Sequence, residues 1–193
     1  MKYIKKRPTA LSCFKACDVR GELNVNFDTT IAYRIGRAVA QHFHATNIVV
    51  GFDARETSPE LAAAVMREIC DAGSNVISTG LAGTEEMYWA VTEFNACAGI
   101  EITASHNPIN YNGLKIVKSG SRPLDDQEDF QAIKLLAETA TWVENLPKGS
   151  IQDISREARK KYVQRVLSFL NHSNLKPLKM VVNSGNGAAG PTF

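Results

Sequence analysis

The stretch Gly99–Lys115 reads G-I-E-I-T-A-S-H-N-P-I-N-Y-N-G-L-K, and the rest of the fold is arranged around it. Its first residues belong to an apolar run over 96–103 that is typical of a buried strand. The polar run Ser105–Pro108 ends this strand, and the proline favours extended dihedrals at the residue before it. Three later residues tolerate left-handed dihedrals, which favours a tight loop: Asn110, Asn112 and Gly113. Apolar residues then return, so Ser105 is predicted at the tip of a tight loop between two strands.

Strands and helices alternate on both sides of this loop. Helical spacing of apolar residues predicts helices over 28–44 and 58–72 and from residue 84, with Asp28, Ser58 and Asp125 as helix caps. Apolar, β-branched runs predict strands over 47–52 and 75–79. This alternation predicts an α/β fold in which helices sandwich a mixed sheet, with the serine loop at the carboxyl end of a strand.

The chain divides into three predicted parts. Residues 1–140 form the α/β/α domain that carries the serine loop, and residues 141–154 form a linker with Pro147 and Gly149. Residues 155–193 begin a second, similar α/β domain with a long amphipathic helix over 155–170 and a strand over 179–182. The basic residues of that helix are interpreted as a solvated face, because no stacking aromatic residues are interleaved with them.

The motif Thr103–Pro108, followed by Tyr111–Lys115, resembles the active-site loop of the α-D-phosphohexomutases, the phosphomannomutase and phosphoglucomutase family. Four such residues alone would be interpreted as a turn, but the ordered run of matches favours the family. The resemblance implies that Ser105 is carried as a phosphoserine, which donates its phosphoryl group to a sugar monophosphate and takes one back from the bisphosphate intermediate. Phosphate monoesters hydrolyse slowly without catalysis, so a phosphoserine persists between turnovers.

Three further residues are expected to serve the serine. The segment 14–21 resembles the N-terminal signature of the family, with Cys17 where an aromatic residue is usual, and Arg20 matches the arginine that lies near the phosphoserine. Arg20 and Lys115 are the expected substrate-binding cations and charge stabilisers or proton-transfer groups. His106 is expected either to bind the backbone or to shuttle protons.

Two other motifs have structural and functional interpretations. Gly51–Arg55 resembles the Gly-x-Asp-x-Arg turn of the family, and Asp53 and Arg55 are expected to pair structurally. Gly185–Gly190 is a literal G-x-G-x-x-G, which suggests a dinucleotide-binding protein if it lies inside a βαβ unit. The phosphohexomutases have a similar turn at the start of their second domain, and the structural turn is favoured.

Composition excludes several classes of function. The 193 residues are 44% apolar and 22% charged with a net charge of +2, which indicates no general nucleic-acid or membrane partner. The basic start, which contains Lys2, Lys5, Lys6 and Arg7, lacks the apolar core of a signal peptide, so a cytoplasmic location is expected. Four cysteines with irregular spacing match neither a zinc site nor a disulfide framework and are interpreted as reduced thiols.

The resemblance implies a phosphomannomutase that interconverts mannose 6-phosphate and mannose 1-phosphate through a hexose 1,6-bisphosphate, supplying GDP-mannose for surface polysaccharide. It implies Mg²⁺ bound through the phosphate on Ser105, with the remaining aspartate ligands beyond this chain, a hexose 1,6-bisphosphate activator, a hexose phosphate substrate and further domains as partners. Residues 1–193 alone are expected to have negligible activity. The alternatives are a phosphoglucomutase, another phosphohexomutase, or a truncated, catalytically silent phosphosugar-binding fragment.

Overall fold

Strands and helices alternate along the chain, as the sequence predicts. The computed structural model describes residues 9–16, 18–170 and 176–193; the basic residues of the N-terminus, Cys17 and His172 lie outside them. The strands are β1 (Val19–Glu22), β2 (Asn47–Phe52), β3 (Asn75–Leu81), β4 (Ala98–Ile102), β5 (Tyr111–Lys118), β6 (Arg122–Pro123) and β7 (Ile151–Asp153). The helices are α1 (Thr29–His42), α2 (Ser58–Asp71), α3 (Thr84–Glu93), α4 (Gln131–Thr139) and α5 (Ser155–Leu167).

All seven strands of the described residues belong to one mixed sheet, in the order β1-β5-β4-β2-β3-β7, with β6 paired to β5. β2 is parallel to both β3 and β4, whereas β5 is antiparallel to both β1 and β4. The carboxyl ends of β2, β3 and β4 therefore meet at one edge of the sheet. The loop after β4, which carries Ser105, and the turn after β2, which carries Arg55, are brought to the same edge by this topology.

Helices cover both faces of the sheet, which confirms the predicted fold class. On one face, apolar residues of α1, α2 and α4 form a core with alternate residues of the central strands, such as Ile48 and Ile100. On the other face, α3 packs Met87 and Val91 against Val49 and its neighbours. α5 joins this second layer, because the rings of Trp89 and Tyr162 meet edge to face at 5.7 Å. Burial of these apolar faces is the main force that holds the layers together.

Two of the three predicted helix caps form. Asp28 accepts a hydrogen bond from the amide of Ile31 at the start of α1, and Asp125 accepts two from the first turn of the helical segment Asp126–Phe130. The prediction for Ser58 was wrong, because Thr57 occupies the cap position of α2 without a side-chain cap bond. Ser58 is instead fully buried as the first residue of α2, where its hydroxyl donates to Asp53 at 2.6 Å.

The region after α4 differs in two places from the sequence-based prediction. The end of the predicted linker 141–154 forms β7, which pairs in parallel with β3 at the sheet edge. The predicted strand 179–182 does not form in the described residues, and Val181 is 99% exposed. A strand requires a partner for its backbone groups, and β3 offers one to 151–153 while 179–182 has none. The domain division itself stays a prediction.

Candidate active site

Ser105 lies just after β4 in a left-handed conformation, with φ of 54°. Asn110, Asn112 and Gly113, which tolerate left-handed dihedrals, do not adopt them here, and Asn112 and Gly113 lie in β5. The left-handed conformation of Ser105 costs a non-glycine residue about 1–2 kcal/mol. The amide of Ser105 donates to Thr103 Oγ1 at 2.8 Å, which stabilises the turn. The side chain of Ser105 is thereby left exposed at the sheet edge.

His106 is placed at the hydroxyl of the serine. Its Nδ1 lies 3.3 Å from Ser105 Oγ, and both residues are exposed. The sequence left two roles open for His106, a bond to the backbone or proton transfer. The ring contacts the hydroxyl of Ser105, which is the predicted reacting group. A neutral imidazole accepts a proton and an imidazolium donates one, so this geometry suits proton transfer at the serine oxygen.

Arg20 binds the same loop from β1. Its Nε pairs with Asp18 Oδ2 at 2.9 Å, and its Nη1 contacts the carbonyl of Ala104 at 3.3 Å and Asn107 Oδ1 at 2.5 Å. Within the part of the chain that the structure describes, Nη2 of Arg20 makes no hydrogen bond. The fork of Arg20 thus keeps donors for an anion or a sugar hydroxyl next to the serine loop.

Arg55 contacts the loop from the opposite side, and sequence reasoning missed this role. The expected pair with Asp53 is present, with Nε of Arg55 3.5 Å from Oδ2. The two terminal nitrogens also donate to four backbone carbonyls at 2.6–3.1 Å: those of Ser105, Asn107, Pro108 and Tyr111. The available signal was topological, because Arg55 follows β2 and the serine follows β4, which are adjacent parallel strands.

Lys115 is the predicted site residue that the structure does not bring to the serine cleft. It lies on β5 opposite Glu101 of β4 and lines a neighbouring cavity of about 350 Å³ with Asp18 and Tyr88. Because Asp18 pairs with Arg20, that ion pair connects the lysine cavity to the serine loop. Ser105, His106 and Arg20 therefore form one group of contacts, and Lys115 lies beside it.

Glu101 is a buried carboxyl group that sequence reasoning did not single out. It is 0% exposed, and neither of its carboxyl oxygens has a hydrogen-bond partner among the described residues. Burial raises the pKa of Glu101 well above its ordinary value, and the carboxyl groups of Asp53, Glu86 and Glu85 raise it further. Gly51 faces this group across the sheet, and a Cβ atom there would overlap Glu101 Oε2.

An open cleft of about 600 Å³ lies in front of Ser105. One wall is formed by the turn that carries Arg55 and by the serine loop, and another by Asn186, Gly187 and Ala188 from the G-x-G-x-x-G segment. In the described residues no strand forms over 176–184, directly before this segment. The first strand of the βαβ unit that a dinucleotide-binding site requires is thus not formed among the described residues.

No group of three or more histidine, cysteine, aspartate or glutamate residues is placed to hold a metal ion in the ranges that the structure describes. Cys13, Cys70 and Cys97 are free thiols, in agreement with the sequence-based interpretation. Across 9–16, 18–170 and 176–193, every helix is too short or too polar to cross a bilayer.

The family described as phosphoglucomutase/phosphomannomutase, alpha/beta/alpha domain I, matches residues 12–143. The chain belongs to this family. The matched range of this phosphoglucomutase/phosphomannomutase chain contains every predicted site residue, Arg20, Ser105, His106 and Lys115, together with Arg55. It ends before β7 and α5, which extend the layers of domain I.

Relatives of this phosphoglucomutase/phosphomannomutase chain are named phosphomannomutases. One from Salmonella montevideo is 44% identical over 185 residues, which are 95% of this chain and 40% of that protein. One from Klebsiella pneumoniae is 44% identical over 149 residues, which are 76% of this chain and 95% of that protein. The crystal structure of a phosphoglucomutase/phosphomannomutase family protein from Burkholderia thailandensis superposes with a TM-score of 0.81 at 32% identity, over 94% of this chain and 40% of that one. This chain spans about 40% of the length of the first of these relatives.

Proposed function

We propose that this chain carries the phosphoryl-donor site of a phosphomannomutase, which interconverts mannose 6-phosphate and mannose 1-phosphate through a hexose 1,6-bisphosphate. The observation that carries the proposal is the exposed Ser105 hydroxyl, with a ring nitrogen of His106 at 3.3 Å and with Arg20 of β1 bound to the same loop. The relatives named phosphomannomutase favour mannose over glucose. Cytoplasmic supply of GDP-mannose for surface polysaccharide is the corresponding cellular role.

The proposed step conserves atoms and charge. The bond between phosphorus and Ser105 Oγ breaks while a sugar hydroxyl oxygen bonds to phosphorus, and the proton of that hydroxyl passes to Ser105 Oγ. His106 Nδ1, which is within reach of Ser105 Oγ, holds or delivers this proton. The reverse step on the bisphosphate restores the phosphoserine. Positioned cations stabilise the charge on the moving group, so Arg20 is assigned to the phosphoryl oxygens and Lys115 to the substrate side.

Mg²⁺ is proposed as the metal of the reaction, where it would neutralise charge on the phosphoryl group. The phosphate on Ser105 is the ligand that this chain would supply. The described residues contain no carboxylate set that completes a site, so further ligands are assigned to other parts of the full-length protein. Those parts are also the proposed partners for sugar binding, and residues 1–193 alone are expected to show negligible turnover.

Phosphate mapping tests the proposal directly. The full-length protein is incubated with a hexose 1,6-bisphosphate, and the intact mass and phosphopeptides are measured. One phosphate on Ser105 is expected for the wild type, none for Ser105→Ala, and wild-type incorporation for Ser119→Ala, an exposed serine after β5. Normal phosphate incorporation by Ser105→Ala would refute the assignment, and full turnover by residues 1–193 would refute the expectation for the fragment.

A further inference from the structure

The loop that carries Ser105 is held by an arginine whose two terminal nitrogens donate only to backbone carbonyls of that loop. We propose that Arg55 is a positioning residue: it fixes the backbone of the serine loop so that Ser105 Oγ faces the incoming phosphoryl group, without touching substrate itself. This inference rests on the function proposed for Ser105. It is carried by the contacts of the Arg55 side chain, which is 12% exposed.

The terminal donors of Arg55 are fully used by the loop. Its Nη1 donates to the carbonyls of Pro108 at 2.8 Å and Tyr111 at 3.1 Å. Its Nη2 donates to those of Ser105 at 3.0 Å and Asn107 at 2.6 Å. Each terminal nitrogen of a guanidinium carries two N–H groups, so none remains for a phosphate. Arg20 differs, because its Nη2 makes no hydrogen bond within the described residues.

These contacts explain how the loop keeps a conformation that its sequence does not favour. Ser105 has a φ of 54°, and a strained residue of this kind persists only when its surroundings over-determine it. One planar, rigid fork ties the carbonyl of Ser105 to three other carbonyls of the same loop. The position of one carbonyl cannot then change without breaking bonds to the others. A lysine, with a single ammonium group, cannot reproduce this fork.

The fork is itself anchored to the fold. Asp53, which pairs with Arg55, accepts hydrogen bonds from the Arg55 amide at 3.0 Å and from Ser58 Oγ at 2.6 Å. Asn112, which is fully buried in β5, donates to Ser58 Oγ at 2.9 Å. A continuous hydrogen-bonded path therefore runs from the start of α2 through Asp53 and Arg55 to the loop and returns to β5. This path fixes the guanidinium before any ligand binds.

The test compares Arg55→Ala and Arg55→Lys with Arg67→Ala, an exposed arginine of α2, in the full-length protein. The turnover of mannose 1-phosphate is measured with a hexose 1,6-bisphosphate present. For both Arg55 variants we expect kcat to fall about 100-fold, the loss that a displacement of about 1 Å of a reacting group causes, with KM changed less than about threefold. Arg67→Ala should match the wild type.

Two further readouts separate positioning from a general structural role. Added methylguanidinium should restore part of kcat in Arg55→Ala and none in Ser105→Ala, because it replaces only the fork. Amide hydrogen exchange should accelerate over residues 104–111 in both Arg55 variants and stay unchanged in α1. If Arg55→Ala does not fold, Arg55→Lys is judged by its kcat, KM and exchange alone.

The inference is overturned if Arg55→Ala keeps kcat within about threefold of the wild type, if Arg55→Lys restores kcat, or if KM rises while kcat is kept. The last result would make Arg55 a substrate-binding residue. Failure of the proposed function would give a different result. The wild type would then show neither turnover nor phosphate on Ser105, whatever rate of amide hydrogen exchange is measured over residues 104–111.

Discussion

The stability of Glu101→Gln, relative to that of the wild type, should increase as the pH rises. Glu101 lies in β4 directly opposite Lys115, is 0% exposed, and has no hydrogen-bond partner for either carboxyl oxygen among the described residues. Burial first, and then the carboxyl groups of Asp53, Glu86 and Glu85, raise its pKa well above the ordinary 4.5. Glutamine has nearly the same shape and no charge, so the substitution removes the titration and keeps the packing.

The sign of the effect follows from proton binding. Above pH 4.5 the unfolded chain releases the proton of Glu101, whereas the folded protein keeps it until the pH passes the raised folded pKa. The contribution of this group to stability is therefore full below pH 4.5 and is lost as the pH rises toward the folded pKa. Each pH unit over which the folded protein keeps this proton and the unfolded chain does not lowers the stability of the wild type by about 1.4 kcal/mol. Glutamine has no such loss.

Urea unfolding of the wild type and Glu101→Gln at several pH values between 4.5 and 6 measures the difference. The free energy of unfolding of the variant should rise relative to that of the wild type over this range, by up to about 1.4 kcal/mol per pH unit. Glu93→Gln, an exposed glutamate at the end of α3, is the matched control and should stay parallel to the wild type. A constant difference would show that Glu101 titrates normally. A relative gain by the wild type at higher pH would show an ionised carboxylate paired with a cation, for which Lys115 is placed.

Two further substitutions test the ion pairs of Asp129 and the close approach of β5 to β1. Burial raises the pKa of Asp129, but its hydrogen bonds with His42 and Lys118 outweigh this effect and lower the pKa from 3.8 to about 2. The ionised carboxylate therefore stabilises the fold above pH 4, and this stabilisation is lost as the pH falls toward 2. In urea unfolding, the advantage of the wild type over Asp129→Asn should shrink by about 2 kcal/mol between pH 5 and pH 2, and a constant gap would contradict the ion pairs. Gly113→Ala would place a Cβ atom on a backbone carbonyl of β1, so thermal unfolding should show a loss of stability of about 2–3 kcal/mol. The control Gly187→Ala places its Cβ atom at an ordinary contact distance and should change stability by less than about 0.5 kcal/mol. Equal effects of the two variants would contradict the close approach of the strands.

Much of the fold could be predicted because its signals are local. The apolar spacing that ends at Phe43 and the cap at Asp28 specify α1, and the apolar run over 47–52 specifies β2. The serine motif placed Ser105 at the sheet edge in the same way, by a strand followed by a turn. Such signals depend on residues that are neighbours in sequence, which composition and periodicity report directly.

The missed features depend on contacts between distant residues. Arg55 binds backbone carbonyls about 50 residues away, and carbonyls are present at every position, so no residue type marks them as partners. Intrinsic preference pointed to asparagines and a glycine as the residues that tolerate left-handed dihedrals, whereas the tertiary contacts impose that conformation on Ser105. β7 was missed for a related reason, since three exposed residues become a strand only because β3 has a free edge.

Two arginines bind the serine loop from different elements, and their contacts differ. Arg55 spends its terminal donors on backbone carbonyls and pairs with Asp53, so its charge is largely compensated within the fold. Arg20 also pairs with an acid but keeps a terminal nitrogen without a partner in the described residues, so its donors are consistent with the phosphoryl-binding role proposed for it. The raised pKa of Glu101 fits this division, because burial disfavours an ionised carboxylate near Asp53 and thereby favours a balanced pair between Asp53 and Arg55.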